Sequence, residues 1–403
     1  MKFLTLQELE DVEEIVKGHI LKTERERVHI RSALSRTLAL DIYSPINVPP
    51  FEKSLMDGYA LRSKDTLKAS ESSPLEFRII ERIDAGKIPE KKITSKTCSY
   101  IATGAPLPMG ADCVVKIEDT YERKGKLRIS KSLFRGENII PIGADFKKGD
   151  MVLREGKLLT PADLAILAYL GFREVKVKRK PKVAIISTGD EIQDVGESLK
   201  YGNSYDVNSH LLGALVERLD AKPLYLGISQ DEPETLKEKI SEALEADLVL
   251  LSAGASQGSR DFLVNAISEL GEVLIHGIAL KPGKPTIVGV AKGKLIIGLP
   301  GHPFSCAVTF LILVKPLILK MLGRAYEPEF SEKIAASKLY SVKGRRQILP
   351  VRIERDKVFS VFYGSGFLQS LIKADGFALI EKEVEFVEVG EKVKVMKSDF
   401  HEG

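Results

Sequence analysis

The chain has 403 residues, 44% hydrophobic and 29% charged, which is too apolar for a disordered polymer and long enough for about two to four domains. Sixty Lys and Arg against 56 Asp and Glu leave a formal net charge of +4, and no block of like charge stands out, so a dedicated nucleic-acid binder is not expected. Cys98, Cys113 and Cys306 lie far apart without C-x-x-C spacing, which excludes a disulfide framework and a structural zinc site and points to a reducing, cytoplasmic setting.

In chain order, residues 1–14 carry five acids and no long apolar run, so they do not read as a signal peptide. A first helix is expected to open with a capping box from Thr5 to Glu8 and to place Leu9, Val12, Val16 and Ile20 on one face. Over 42–145, prolines and glycines punctuate short apolar runs such as 76–80 and 113–117, the texture of a β-rich module with functional loops. A helix returns at Thr160-Pro161, with Thr as cap, Pro in the first turn, Asp163 near the positive end and Gly171 behind it.

From Pro181, apolar runs at 183–187, 224–228 and 248–252 alternate with helical patterns at 209–219, 234–244 and 262–270. Such alternation predicts parallel strands joined by right-handed crossovers, hence a doubly wound, mostly parallel sheet buried on both faces. Runs at 272–278, 286–290 and 295–299 extend the sheet. The apolar stretch 304–322 is broken by Lys315, Pro316 and Lys320 and reads as a core helix, not a membrane span. Beyond Gly323, short strands at 348–354, 357–363, 376–380 and 393–396 predict a small β-barrel or sandwich, giving a multidomain α/β plus β fold class.

Open α/β sheets bind ligands beyond the carboxyl ends of their strands, so the residues after each run carry the functional information. The first run ends in Ser187-Thr188-Gly189-Asp190-Glu191 and the second in Ser229-Gln230-Asp231-Glu232. The third ends in a small-residue loop, from Gly254 through Ser256 and Gly258 to Asp261, whose backbone amides can approach a phosphate. Lys281-Pro282-Gly283-Lys284-Pro285 then sets two cations in a stiff turn, and Gly298-Leu299-Pro300-Gly301-His302-Pro303 delivers Ser305 to a helix N-terminus. Acids able to bind Mg²⁺ and donors able to hold oxyanions on one rim fit a phosphorylated or pyrophosphorylated ligand. No G-K dipeptide is followed by Ser or Thr, so a Walker A loop is absent.

Each piece has an ordinary structural explanation as well. Asp190-Glu191 and Asp231 can be helix caps, Asp57 a turn cap ahead of Gly58, Lys281 to Pro285 a rigid turn, and His302 a capping or packing residue. Gly254-Ala255-Ser256-Gln257-Gly258 matches the G-x-S-x-G nucleophile elbow, which raises a serine hydrolase acting through Ser256. Two features oppose it: residues 258–261 are expected to prolong the loop before the helix, and His276, the downstream base, falls inside the next apolar run.

Taken in order, these loops resemble the molybdopterin molybdenumtransferase family, the MoeA and gephyrin E-domain type. The matching stretches run from Ser54-Leu55-Met56-Asp57-Gly58-Tyr59-Ala60 and Thr103-Gly104-Ala105-Pro106 through Gly143-Ala144-Asp145, Gly189-Asp190-Glu191 and Lys281-Pro282-Gly283-Lys284-Pro285 to Gly298-Leu299-Pro300-Gly301. The resemblance implies four parts: an elongated helical and mixed domain (1–45 and 146–180), an inserted β-rich domain (46–145), an α/β molybdopterin-binding domain (181–323) and a C-terminal β-barrel (324–403). It implies a homodimer whose cleft is shared between subunits, with no nucleic acid or membrane as partner. The implied substrates are adenylylated molybdopterin and molybdate or tungstate, with Mg²⁺ assisting and AMP released. By motif, Asp57, Thr103 and Asp145 would face the cleft from the inserted domain, while Glu191, Asp231 and Asp261 would line the α/β side and hold the metal. Lys281, Lys284 and Ser305 would hold the oxyanion, Arg345 would reach in from the barrel, and Gly254, Ser256 and Gly258 would approach the ligand. A pterin-binding or partner-clustering scaffold without turnover is the alternative. The chain departs from the family pattern at Ala253, where a glycine is usual, and at His302, where asparagine is usual.

Overall fold

The continuous apolar runs of the central region are strands whose successive side chains enter two different cores. In the computed structural model, which describes residues 6–253, 257–398 and 400, the six strands are β1 (Lys182–Thr188), β2 (Lys222–Ser229), β3 (Leu248–Ala253), β4 (Glu272–His276), β5 (Ile287–Ala291) and β6 (Lys294–Pro300). Side chains alternate across a pleated strand, so Val183 and Ile185 of β1 enter one core while Ala184 and Ile186 enter the other; β3 does the same with Leu248 and Leu250 against Val249 and Leu251. Burial on both faces is why these strands read as unbroken apolar runs instead of alternating ones.

Four helices cover the two faces: α1 (Val207–Arg218), α2 (Pro233–Ala243), α3 (Gln257–Leu270) and α4 (Pro303–Met321). Leu212 and Val216 of α1 join α4 in one core, and Leu236 and Ile240 of α2 join Leu263 and Ile267 of α3 in the other. Each fully buried aliphatic side chain contributes about 1.5–3 kcal/mol. The strand order is β2-β1-β3-β6-β5-β4; β2, β1, β3 and β6 are mutually parallel, and β5 runs antiparallel to both of its neighbours. The order reverses at β1, so the carboxyl ends of β1 and β3 form the crevice expected of a doubly wound sheet. Helix α4 is long and apolar enough to cross a membrane, yet 78% of its apolar window is buried in the protein. Pro316 lacks the N–H that its turn needs, and the preceding turn, Phe310–Val314, widens into a π-helix.

Two expectations about helix starts are corrected. Gln7 is extended, its N–H donating to the Gly277 carbonyl (3.1 Å) and its carbonyl accepting from Ala279 (2.8 Å), so the first helix runs only over Leu9–Lys17. Glu8 occupies the cap position, but its side chain bonds no helix amide and its carboxylate accepts instead from Lys382 Nζ (2.8 Å); Thr5 lies outside the described residues. Residues 258–261 belong to α3 and are not loop. The first turn of any helix leaves its amides without intrahelical partners, so Gly, Ser and polar residues are tolerated there and hide the start.

The chain divides into two compact units, residues 1–39, 156–160 and 175–403 and residues 40–155 and 161–174. In the first unit, strands Phe330–Ala335, Arg346–Glu354, Lys357–Ser360, Gly376–Ile380 and Lys392–Lys397 close into a barrel, because Arg346–Glu354 pairs with Gly376–Ile380 as well as with Lys357–Ser360. Leu280–Lys281 adds itself to this barrel in parallel register, Leu280 opposite Arg346 and Lys281 opposite Gln347. The second unit is built on a six-stranded sheet in the spatial order Cys113–Lys116, Gly58–Leu61, Thr97–Ile101, Leu75–Ile83, Lys126–Ile129, Thr120–Arg123. All three cysteines are free and buried, and burial pushes the Cys98 thiol up to about 12.

Candidate functional site

Two cavities open at the carboxyl ends of β1, β3 and β6, separated by the Gly301-His302 turn that borders both. The smaller, about 310 Å³, draws its walls from the Lys281–Pro285 turn, the β6–α4 turn with Ser305, and the barrel edge from Arg345 to Leu349. The pairing of Lys281 with Gln347 is what brings residues more than sixty positions apart into one wall. Lys281, Lys284 and Arg345 all border this cavity, and no acidic side chain among the described residues does. Burial, and then the Arg345 charge, hold the Lys281 ammonium below its ordinary pKa. Ser305 is 5% exposed in the first turn of α4, where backbone amides are not yet paired within the helix. Cations pressed together at a helix N-terminus without a counter-charge form a receptor for a small multiply charged anion.

The larger cavity, about 500 Å³, occupies the crevice at the β1–β3 reversal. Asn208, in the first turn of α1, ties its walls together by donating to Ser252 Oγ (2.6 Å) and to the Gly301 carbonyl (2.7 Å). Asp206 caps the same helix by accepting from Ser209 N (3.0 Å). Ser187 Oγ, Thr188 Oγ1 and Asn208 Oδ1 are buried without a hydrogen-bond partner, although their residues border the cavity. Buried polar atoms are nearly always paired, so three in one wall mark a surface prepared for a polar ligand.

The acids distribute unevenly. Glu191 is exposed and borders the larger cavity. Asp231 is half-buried; Glu232, not Asp231, holds the cap position of α2, and the Asp231 N–H donates to Asp190 Oδ1 (3.1 Å), which joins the ends of β1 and β2. Asp261 is exposed on α3, and neither it nor Asp231 borders either cavity. Among the described residues no group of three or more His, Cys, Asp or Glu is placed to hold a metal. Gly254 and Ser256 lie outside the described residues, and Gly258 falls in the first turn of α3. That helix begins directly behind Ser256, contrary to expectation, and His276 ends β4, three strands from β3, roughly 14 Å at about 4.8 Å per strand.

In the second unit, Asp57 Oδ1 accepts from both the Thr103 amide (2.7 Å) and the Thr103 hydroxyl (2.9 Å). These bonds hold the carboxyl of exposed Asp57 below the usual carboxylate range. The partner lies 46 residues away, so Asp57 pins two loops together and is not a local turn cap. Asp145 is exposed on another loop, its N–H donating to the Val48 carbonyl (2.9 Å).

Sequence models of the MoeA family match along nearly the whole chain. The MoeA N-terminal region (domain I and II) matches residues 7–171, a probable molybdopterin binding domain matches 184–320, and the MoeA C-terminal region (domain IV) matches 333–397. The chain is 38% identical to the molybdopterin molybdenumtransferase of Haemophilus influenzae over 383 residues, covering 93% of this chain and 94% of that protein. The chain belongs to the MoeA family. It is also 36% identical to the Staphylococcus aureus molybdopterin molybdenumtransferase over 298 residues, 73% of this chain and 71% of that one. A solved molybdopterin biosynthesis MoeA protein from Pyrococcus horikoshii superimposes with a TM-score of 0.91 at 41% identity, covering 99% of this chain and all of that one. A second from the same organism gives 0.84 at 31% identity, covering 98% of this chain. The MoeA fold accounts for the α/β sheet and the closed barrel alike. The sequence did not single out Asn208, Tyr205 or the segment 362–368, which border the cavities; an Asn near a helix start was the only local signal for any of them.

Proposed function

We propose that this MoeA family member inserts molybdate into molybdopterin, a transferase step of molybdenum cofactor biosynthesis, using adenylylated molybdopterin and releasing AMP. The observation that carries the reading is the acid-free cavity bordered by Lys281, Lys284, Arg345 and Ser305, which suits a tetrahedral dianion, next to a larger cavity with unpaired polar atoms in its wall and Glu191 at its border. Cleaving the phosphoanhydride that joins AMP to the pterin phosphate builds negative charge on oxygens. Amides fixed in the first turn of α4 stabilise that charge without reorganising. Lys281 and Arg345 orient the incoming oxyanion, and Asn208 and Thr188 bind the nucleotide-pterin portion at the crevice.

The carboxylates fit Mg²⁺ only as a cation shared with substrate phosphates. Glu191 at the larger cavity would supply an oxygen, Asp231 and Asp261 border neither cavity, and no three-acid cage exists among the described residues. Bound there, Mg²⁺ would neutralise phosphate charge. Asp57, Thr103 and Asp145 enter this reading through a homodimer, as the family resemblance implies, and sedimentation measures that state directly. Purified protein given adenylylated molybdopterin, Mg²⁺ and molybdate should release AMP and yield metallated cofactor. Tight pterin binding without AMP release would reject the transferase in favour of a scaffold. Asp57→Asn should lower AMP release with the fold intact, and unaltered turnover would remove the inserted-domain loops from the site.

A further inference from the structure

The segment 361–368 is irregular chain between the barrel strand Lys357–Ser360 and the short helix Gln369–Ile372, yet it reaches both cavities. Phe362 and Ser365 border the cationic cavity, and Gly366, Phe367 and Leu368 border the larger one. A hydrogen bond between Ser365 Oγ and His302 Nδ1 (3.0 Å) pins the segment to the turn between the cavities. His302 holds the cap position of α4 but its side chain makes no capping bond, so its ring is committed to this contact.

Phe367 is 59% exposed, and its ring packs on Gly364, where a Cβ would stand 3.1 Å from Phe367 Cδ2 and where φ is +126°, a conformation only glycine adopts without strain. Tyr205 also borders the larger cavity and is anchored by its hydroxyl to the Glu197 carbonyl (2.7 Å). Ser187 Oγ, Thr188 Oγ1 and Asn208 Oδ1 are the unpaired polar atoms of the same wall. Exposed aromatic faces beside unpaired donors and acceptors match a flat heteroaromatic ring, apolar on its faces and polar at its edge.

We propose that the 362–368 segment is the specificity element of the site: the His302–Ser365 bond fixes it so that Phe367 stacks on a flat heteroaromatic ring in the larger cavity, while the oxyanion sits across His302 in the cationic one. This deepens the transferase reading and rests on it. Pterin and adenine are both such rings, and binding of each separately tells them apart.

The chain contains no tryptophan, so Phe367→Trp installs a single fluorophore at the proposed stacking position. In the full-length variant, AMP, 6-hydroxymethylpterin or both should quench its emission, and molybdate alone should not. A response to AMP only assigns adenine to the cavity, and a response to the pterin only assigns the pterin. In equilibrium dialysis, Phe367→Ala should weaken binding of the responding ring about tenfold and leave molybdate binding unchanged. His302→Ala, acting through the segment's position, should weaken the same ring. His302→Asn, whose amide nitrogen stands where Nδ1 does and keeps a hydrogen bond to Ser365, should restore it. No quenching by either ring, or wild-type ring affinity in Phe367→Ala, overturns the proposal. Failure of the wild-type protein to bind molybdate or release AMP would instead overturn the transferase reading, whatever the rings do.

Discussion

The cationic cavity gives a ranked prediction for oxyanion binding. Lys281 and Arg345 are half-buried, whereas Lys284 is exposed, although all three border the same space. A hydrogen bond to a charged group contributes about 1.5–3 kcal/mol when water is partly excluded. Substituting Lys281→Met, which keeps the apolar stem, should therefore weaken molybdate binding about 10- to 150-fold, at roughly 1.4 kcal/mol per tenfold. An exposed ion pair contributes only about 0.2–1 kcal/mol, so Lys284→Met should cost about 1.5- to 5-fold. Isothermal titration with molybdate, repeated at about 0.1 M and about 1 M salt, separates the two cases, because the Debye length falls from about 10 Å to about 3 Å. The Lys284 effect should fade at high salt and the Lys281 effect should persist. Equal losses in the two variants, or equal salt sensitivity, would refute the claim that burial sets the order.

Because burial and Arg345 lower the Lys281 pKa, that lysine loses its proton at a lower pH than an ordinary one, so molybdate affinity should decline earlier on the alkaline side. In Lys281→Arg the decline should move to higher pH, as titrations across that range will report. Gly58→Ala would drive a Cβ to 2.0 Å from the Val115 carbonyl oxygen, between two paired strands. About 3 kcal/mol or more should be lost, read as a lowered urea midpoint for the unit that holds Gly58. Asp220, whose side chain is 3% exposed, stands 3.2 Å from both Arg36 Nε and Lys180 Nζ. Asp220→Ala leaves Arg36 buried with less compensation and should cost about 3–5 kcal/mol in chemical denaturation; adding Arg36→Met should recover much of it, and no recovery would show that the pair is not coupled.

Local pattern was enough for the architecture. The alternation of 183–187, 224–228 and 248–252 with helical segments encodes a parallel sheet because each strand feeds two cores; the short runs after Gly323 encode a barrel or sandwich, and the pairing of Arg346–Glu354 with Gly376–Ile380 makes it a barrel. The strand-end loops that border the cavities were also legible, since a doubly wound sheet opens its crevice beyond the carboxyl ends of its strands. Lys281, Lys284, Ser305 and Arg345 border one cavity. Element starts were less legible: the first turn of α3 has a loop-like composition because helix amides are unpaired there anyway. Tertiary structure alone decided what is adjacent without being sequential. The Asp57–Thr103 bonds, the Lys281–Gln347 register and the His302–Ser365 contact join residues separated by 46, 66 and 63 positions. No periodicity records such pairs, because they arise from how segments distant in the chain pack within one folded unit; local sequence specifies which groups are offered, and packing specifies which of them meet.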